Sequence, residues 1–253
     1  MKGSVSSKHL ELAKFIDESI LHFDSQGIVL YEGRNVVKVF NLSTTSINIK
    51  RFKKPNLVNS FAYRFVRKSK AQRSFEYATI LLEKGIETPD PIAFFENYSS
   101  TGFKYSYYVS AHLKVDFTFR ALIYDERIEN REDILRQYTR FVYKIHEAGV
   151  YFMDNSPGNT LIIMEGKIAS FFLVDLNRMK FYTVPYEDRL KNFERLSPEK
   201  WMYEIMGDEY ARILGKNSME VIEKMWNYTE QFQEKFHKKK RFKKKLKALL
   251  GKS

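Results

Sequence analysis

The feature that most constrains this chain is a change of hydrophobic period partway along it. Before about residue 110, apolar residues fall in short alternating runs, such as Ile47 and Ile49 of "SINIKRF". That is the period of strands half-buried against a core. In "EDILRQYTRFVYKIHEAGV" they recur every three or four residues instead, at Ile134, Leu135, Tyr138, Phe141, Val142 and Ile145, and stop at Gly149. That is one face of a helix. A β-rich half followed by a helical half predicts an α+β, two-lobed fold with a cleft between the lobes. The expected divisions are a lead-in over 1–27, a small antiparallel lobe over 28–110, a hinge over 111–116, a mainly helical lobe over 117–236 and a basic tail over 237–253.

The β-rich half reads as a meander. "GIVLYEGRNVVKVFNLSTTSINIKRF" contains three strand-like runs separated by Glu32-Gly33-Arg34-Asn35 and Ser43-Thr44-Thr45. A helix follows in "SKAQRSFEYATILLEKGI", with Ala71, Phe75, Ala78, Leu81 and Leu82 at helical spacing, Ser69 as N-cap and Gly85 beyond its end. "TPDPIAFFENYSSTGFKYSYYVSAHL" then supplies two strands joined by a Ser-Ser-Thr-Gly turn. Farther on, Met164-Glu165-Gly166-Lys167 separates two apolar runs as a hairpin turn does. After Tyr186 the pattern is helical.

Chemistry concentrates in "VYFMDNSPGNTLIIMEGKIASFFLVDLNRMKF", Val150 to Phe181. Asp154 and Asn159 form D-x-x-x-x-N in the loop after the long helix, and Asp175 follows the second hairpin run. Phosphoryl transfer from a nucleotide needs a carboxylate near the acceptor hydroxyl, and an Asn and a second Asp to hold Mg²⁺ against the phosphates. Asp154-Asn155-Ser156-Pro157-Gly158 equally suits a plain turn. Lys50, at the end of a meander strand, and Glu76, on the next helix, are the residue types that hold α- and β-phosphates in a kinase-type site.

In these blocks the chain resembles the lipopolysaccharide core kinases, the Kdo kinase and heptose kinase group of the protein-kinase-like superfamily. The resemblance rests on "SKAQRSFEYATILLEKGIETPDPIAFFE", "HEAGVYFMDNSPGNTLI" and "VDLNRMKF". It implies Asp154 as catalytic base, Asn159 and Asp175 as Mg²⁺ ligands, and Lys50 as phosphate clamp paired with Glu76. It further implies Ala111, His112 and Leu113 as the backbone that meets adenine, and ATP as the phosphate donor. The acceptor it implies is a sugar hydroxyl of the lipid A–core precursor, at the cytoplasmic face of the inner membrane.

The chain departs from the protein-kinase pattern in several places. Phe152 stands where a His precedes the catalytic Asp, and Ser156 where a Lys follows it, so another cation must reach in or a small polar group must serve. The glycine-rich loop shrinks to Gly33, with Arg34 beside it, and Asp175-Leu176-Asn177 replaces D-F-G. These departures leave two alternatives open: a kinase-like phosphotransferase for another small molecule, and a membrane-associated nucleotide-binding pseudokinase scaffold. A zinc hydrolase is excluded, because H-E-x-x-H beginning at His146 would need a second His where Val150 stands, and the chain has no cysteine. His146 reads as a helix-end residue near the negative end of the dipole.

The net charge of +12 implies an anionic partner. From Lys238 to Lys247 only Phe242 and Leu246 are not basic, the pattern of a helix lying on an anionic membrane, although a solvated tail has the same composition. The aromatics there form no stacking platform, so nucleic acid is not expected. A second basic segment carries Arg64, Arg67, Lys68, Lys70 and Arg73, which with Ser156 are candidates for binding the glycolipid acceptor. The N-terminus lacks the apolar region of a secretory signal. Localisation is therefore expected to be cytoplasmic and peripheral on the membrane. Nothing in the sequence fixes an oligomeric state.

Overall fold

The computed structural model describes residues 1–43, 45–53, 68–99 and 102–249. The chain divides into two compact units, one of residues 1–114 with 172–178, the other of residues 115–171 with 179–253.

The first unit is built on a six-stranded sheet of β1 (Lys2–Val5), β2 (Ile28–Glu32), β3 (Val36–Leu42), β4 (Thr45–Phe52), β5 (Pro91–Ser99) and β6 (Gly102–Ala111), in the order β1-β5-β6-β4-β3-β2. All its pairings are antiparallel, and β2, β3 and β4 form the expected meander. The expected lead-in is instead part of this unit. β1 pairs with β5, and Ile16, Ile20 and Phe23, from α1 (Ala13–Leu21) and the turn after it, pack in the core with Ile47, Ile49, Ile92 and Val109. Buried Lys38 reaches back across the end of α1 and donates to the carbonyls of Phe23 at 2.6 Å and Gln26 at 2.9 Å. Those carbonyls lie in the turn that follows the helix, and a cation there also favours the negative end of the helix dipole.

The expected helix of this unit is α2 (Lys70–Glu83). Ser69 Oγ accepts from Gln72 N at 3.0 Å, and Gly85 takes the left-handed conformation (φ 68°) that lets the chain turn away. Residues 172–178 belong here because Leu173 is tied at both backbone groups: its N–H donates to Glu87 O at 3.0 Å, and its carbonyl accepts from Thr88 Oγ1 at 2.8 Å.

The second unit contains β7 (Phe117–Thr118), α3 (Ala121–Tyr124), α4 (Arg131–Glu147), β8 (Val150–Phe152), β9 (Thr160–Glu165), most of β10 (Ile168–Leu173), β11 (Met179–Phe181), α5 (Tyr186–Lys191), α6 (Lys200–Leu214) and α7 (Ser218–Leu249). Gly166 turns between β9 and β10 with φ 61°. Five of the six expected core positions of α4 are buried, and Phe141 packs half-buried against the same cluster. Gly149 ends that helix at φ 71°.

Glu209, on α6, is 1% exposed and bonded to Arg140 at 2.6 Å and Arg212 at 2.5 Å. Burial alone would raise its carboxyl pKa, but hydrogen bonds from Arg212 and Arg140 outweigh burial and hold it below the ordinary value. The expected tail boundary at 236/237 falls inside α7, which runs on to Leu249. Among the described residues no helix is long and apolar enough to cross a membrane.

Candidate active site

In the first unit, Lys50 Nζ lies 2.5 Å from Asp175 Oδ1, joining two residues 125 positions apart. Lys50 is reached from β4, where alternation buries Ile47 and Ile49 on one face and puts Lys50 on the other, beside Phe52, its cation 5.1 Å from that ring's centroid. Asp175 holds φ 60°, a conformation that non-glycine residues adopt at a cost, and Asn177 Nδ2 donates to the same Oδ1 at 2.8 Å. Asp175 Oδ2 makes no bond among the described residues.

Glu76 does not take Lys50 as its partner. Lys68 donates to both its oxygens at 2.8 Å, and Gln72, one turn earlier on α2, donates at 3.0 Å. The near partners on its own segment satisfy the carboxylate, and Lys50 goes to Asp175. Lys68 is thereby engaged in an ion pair, and Arg64 and Arg67 lie outside the described residues. Lys70, at the first turn of α2, has its pKa lowered first by burial, then by the like charge of Arg34; Arg73 and Lys50 add to the lowering and Asp175 opposes it. Gly33 N donates to Asn35 O at 3.1 Å in the β2–β3 turn.

Several mutually repelling cations around one carboxylate fit a polyphosphate, whose charge would relieve them. At the end of β6, the amides of Ala111 and His112 are engaged by Asp90 O and Ser46 O, both at 2.9 Å. The Leu113 amide is unpaired among the described residues.

In the second unit, the Asp154–Asn159 loop is held by buried polar groups. Tyr138 Oη donates to Asn155 Oδ1 at 2.7 Å, Asn155 Nδ2 to Asn192 O at 3.0 Å, and Asn192 Nδ2 to Phe152 O at 2.8 Å. Because the Asn192 amide nitrogen is spent on Phe152, its oxygen accepts from His146 Nε2 at 3.1 Å, and His146 Nδ1 then accepts from Tyr210 Oη at 2.8 Å. His146 is 1% exposed, and burial lowers its pKa to about 4. It is therefore a neutral buried anchor rather than a charged helix end. Phe152, where the kinase pattern has His, is a core side chain at 1% exposure.

Asn159 Nδ2 donates to Asp154 O at 2.8 Å, which frees its side-chain oxygen as a hard ligand suited to Mg²⁺. The loop also tightens through Asn159 N to Ser156 O at 2.9 Å, and Arg120 N donates to Pro157 O at 2.9 Å. Asp154 Oδ1 accepts from Arg195 Nη1 at 2.7 Å. Asn155, Asn192, Arg195 and Arg120 carry no spacing signal that singles them out in the sequence.

The architecture is a protein-kinase-like fold. The solved structure described as WaaP in complex with acyl carrier protein resembles the chain with a TM-score of 0.63 at 16% identity, over 93% of this chain and 99% of that one. No family model and no curated protein sequence matches the chain.

Proposed function

We propose that this chain is an ATP-dependent kinase of the lipopolysaccharide core kinase type, phosphorylating a Kdo or heptose hydroxyl of the lipid A–inner core precursor. The observation that carries the reading is the Lys50–Asp175 pair, the strand lysine and the acidic residue that phosphoryl transfer needs together. Lys50, with Lys70 and Arg34, binds the phosphates; Leu113 offers its amide to adenine. Asp175 and Asn159 supply oxygens to Mg²⁺, which when bound offsets charge developing on the phosphates. Asp154 orients the acceptor hydroxyl and takes its proton as the oxygen bonds to the γ-phosphorus and ADP departs. The likeness to the WaaP structure supports the kinase fold, and the blocks around Asp154 and Asp175 in the sequence support the lipopolysaccharide acceptor.

The basic end of α7, with Phe242 and Leu246 exposed one turn apart, supports attachment to the anionic cytoplasmic face of the membrane. Mass spectrometry of core glycolipids incubated with enzyme, ATP and Mg²⁺ tests the activity. One added phosphate is expected, and it should disappear with Asp154→Ala and Asp175→Ala. Full transfer by Asp154→Ala would refute the assignment.

A further inference from the structure

The kinase pattern places a lysine two residues after the catalytic aspartate, and this chain has Ser156 there. The structure brings a different cation to the same carboxylate. Arg195 Nη1 donates to Asp154 Oδ1 at 2.7 Å and to Met153 O at 3.0 Å, so one nitrogen ties the carboxylate to the backbone of its own loop. Asp154 is 15% exposed and Arg195 33%, so solvent screens this pair less than a surface pair.

Arg195 is itself held in place. Its neighbours Phe193 and Leu196 are fully buried, and its guanidinium lies 5.5 Å from the Phe232 ring centroid on α7. The arrangement is a poor design for stability alone. Nε is buried without a hydrogen-bond partner, and Nη2 makes no bond among the described residues. A guanidinium that spends one nitrogen on Asp154 and leaves Nη2 unspent keeps donors for an anion at that carboxylate.

We propose that Arg195 is the positioning cation of the catalytic loop. It replaces the absent lysine from an element 41 residues downstream, fixing the Asp154 carboxylate toward the acceptor hydroxyl and placing positive charge beside the phosphoryl group in transfer. This rests on the kinase reading above.

The test compares the full-length wild type with Arg195→Met, which keeps the aliphatic stem, and Arg195→Lys, which keeps the charge. Acceptors are lipid A bearing Kdo and a heptosylated core. Arg195→Met is expected to lower kcat about 100-fold, the scale of losing one preorganised donor at a transition state. The KM for ATP should stay within about twofold, because Arg195 acts at the acceptor carboxylate. Arg195→Lys should recover a large part of kcat, whereas a packing role would make Met the better replacement.

Phe232→Leu serves as a second variant, should Arg195→Met fail to fold. It loosens the guanidinium without removing charge and should lower kcat by a smaller factor. Undiminished kcat in Arg195→Met, or Met equal to Lys, would overturn the role of Arg195 and leave the kinase standing. Wild type that transfers phosphate to neither acceptor would overturn both.

Discussion

Acidifying the protein from pH 7 to pH 5 should weaken the helical unit through His146. The ring is 1% exposed, and both its nitrogens are bonded to neutral groups, Asn192 and Tyr210. Burial moves its pKa from 6.5 to about 4. Because the folded value lies below the unfolded one, the unfolded chain binds a proton between them that the folded chain refuses. The stability due to neutral His146 is therefore intact above the unfolded pKa and declines as pH falls toward the folded one. A displacement of that size corresponds to about 3 kcal/mol in full, of which about 2 kcal/mol is lost between pH 7 and pH 5.

Urea unfolding followed by tryptophan fluorescence reads this unit alone, since Trp201 and Trp226 both lie within it. His146→Gln lowers stability at every pH, but its loss from pH 7 to pH 5 should be smaller than the wild type's by about 2 kcal/mol. Equal losses in the two proteins, or a His146 resonance titrating near 6.5 in the folded state, would refute the reasoning.

Glu209→Ala should destabilise the same unit in urea, because it removes the buried carboxylate that accepts from Arg140 and Arg212 and leaves their like charges unopposed. Lys50→Met should reduce phosphoryl transfer by at least about 100-fold, whereas Lys68→Met should change it little. Steady-state kinetics on the two variants thus tests whether the Lys68–Glu76 pair is a surface bridge and the Lys50–Asp175 pair the functional one. Deleting residues 237–253 should abolish binding to vesicles containing anionic lipid while leaving unfolding of the remainder nearly unchanged. Co-sedimentation that persists after the deletion, or does not weaken with added salt, would argue against an electrostatic membrane contact.

Much of the fold is legible because period and punctuation are local properties. The meander follows from alternation at Ile47 and Ile49, and α2 from Ser69 at one end and Gly85 at the other. Residues 1–27 carried a usable signal as well: Leu12, Ile16 and Ile20 repeat every fourth position, and all three are buried. Only β1, four residues with one apolar side chain, is too short to show a period. Pairing is a different kind of information. Glu76 could be assigned to Lys50 or to Lys68 on charge alone, and what decides is which cation its own helix turn faces.

The same holds for the transfer of residues 172–178 to the first unit, which depends on Leu173 meeting Glu87 and Thr88, contacts that no spacing rule encodes. The catalytic loop makes the point most sharply. Its motif is local, so Asp154 and Asn159 can be found by reading along the chain. Its supports are not: Tyr138 precedes it by a helix, and Asn192 and Arg195 follow after two sheets. A scan that stops at Ser156 finds a missing lysine, yet the requirement is for a cation at Asp154 Oδ1, and geometry can meet that from any element that folds back to reach it.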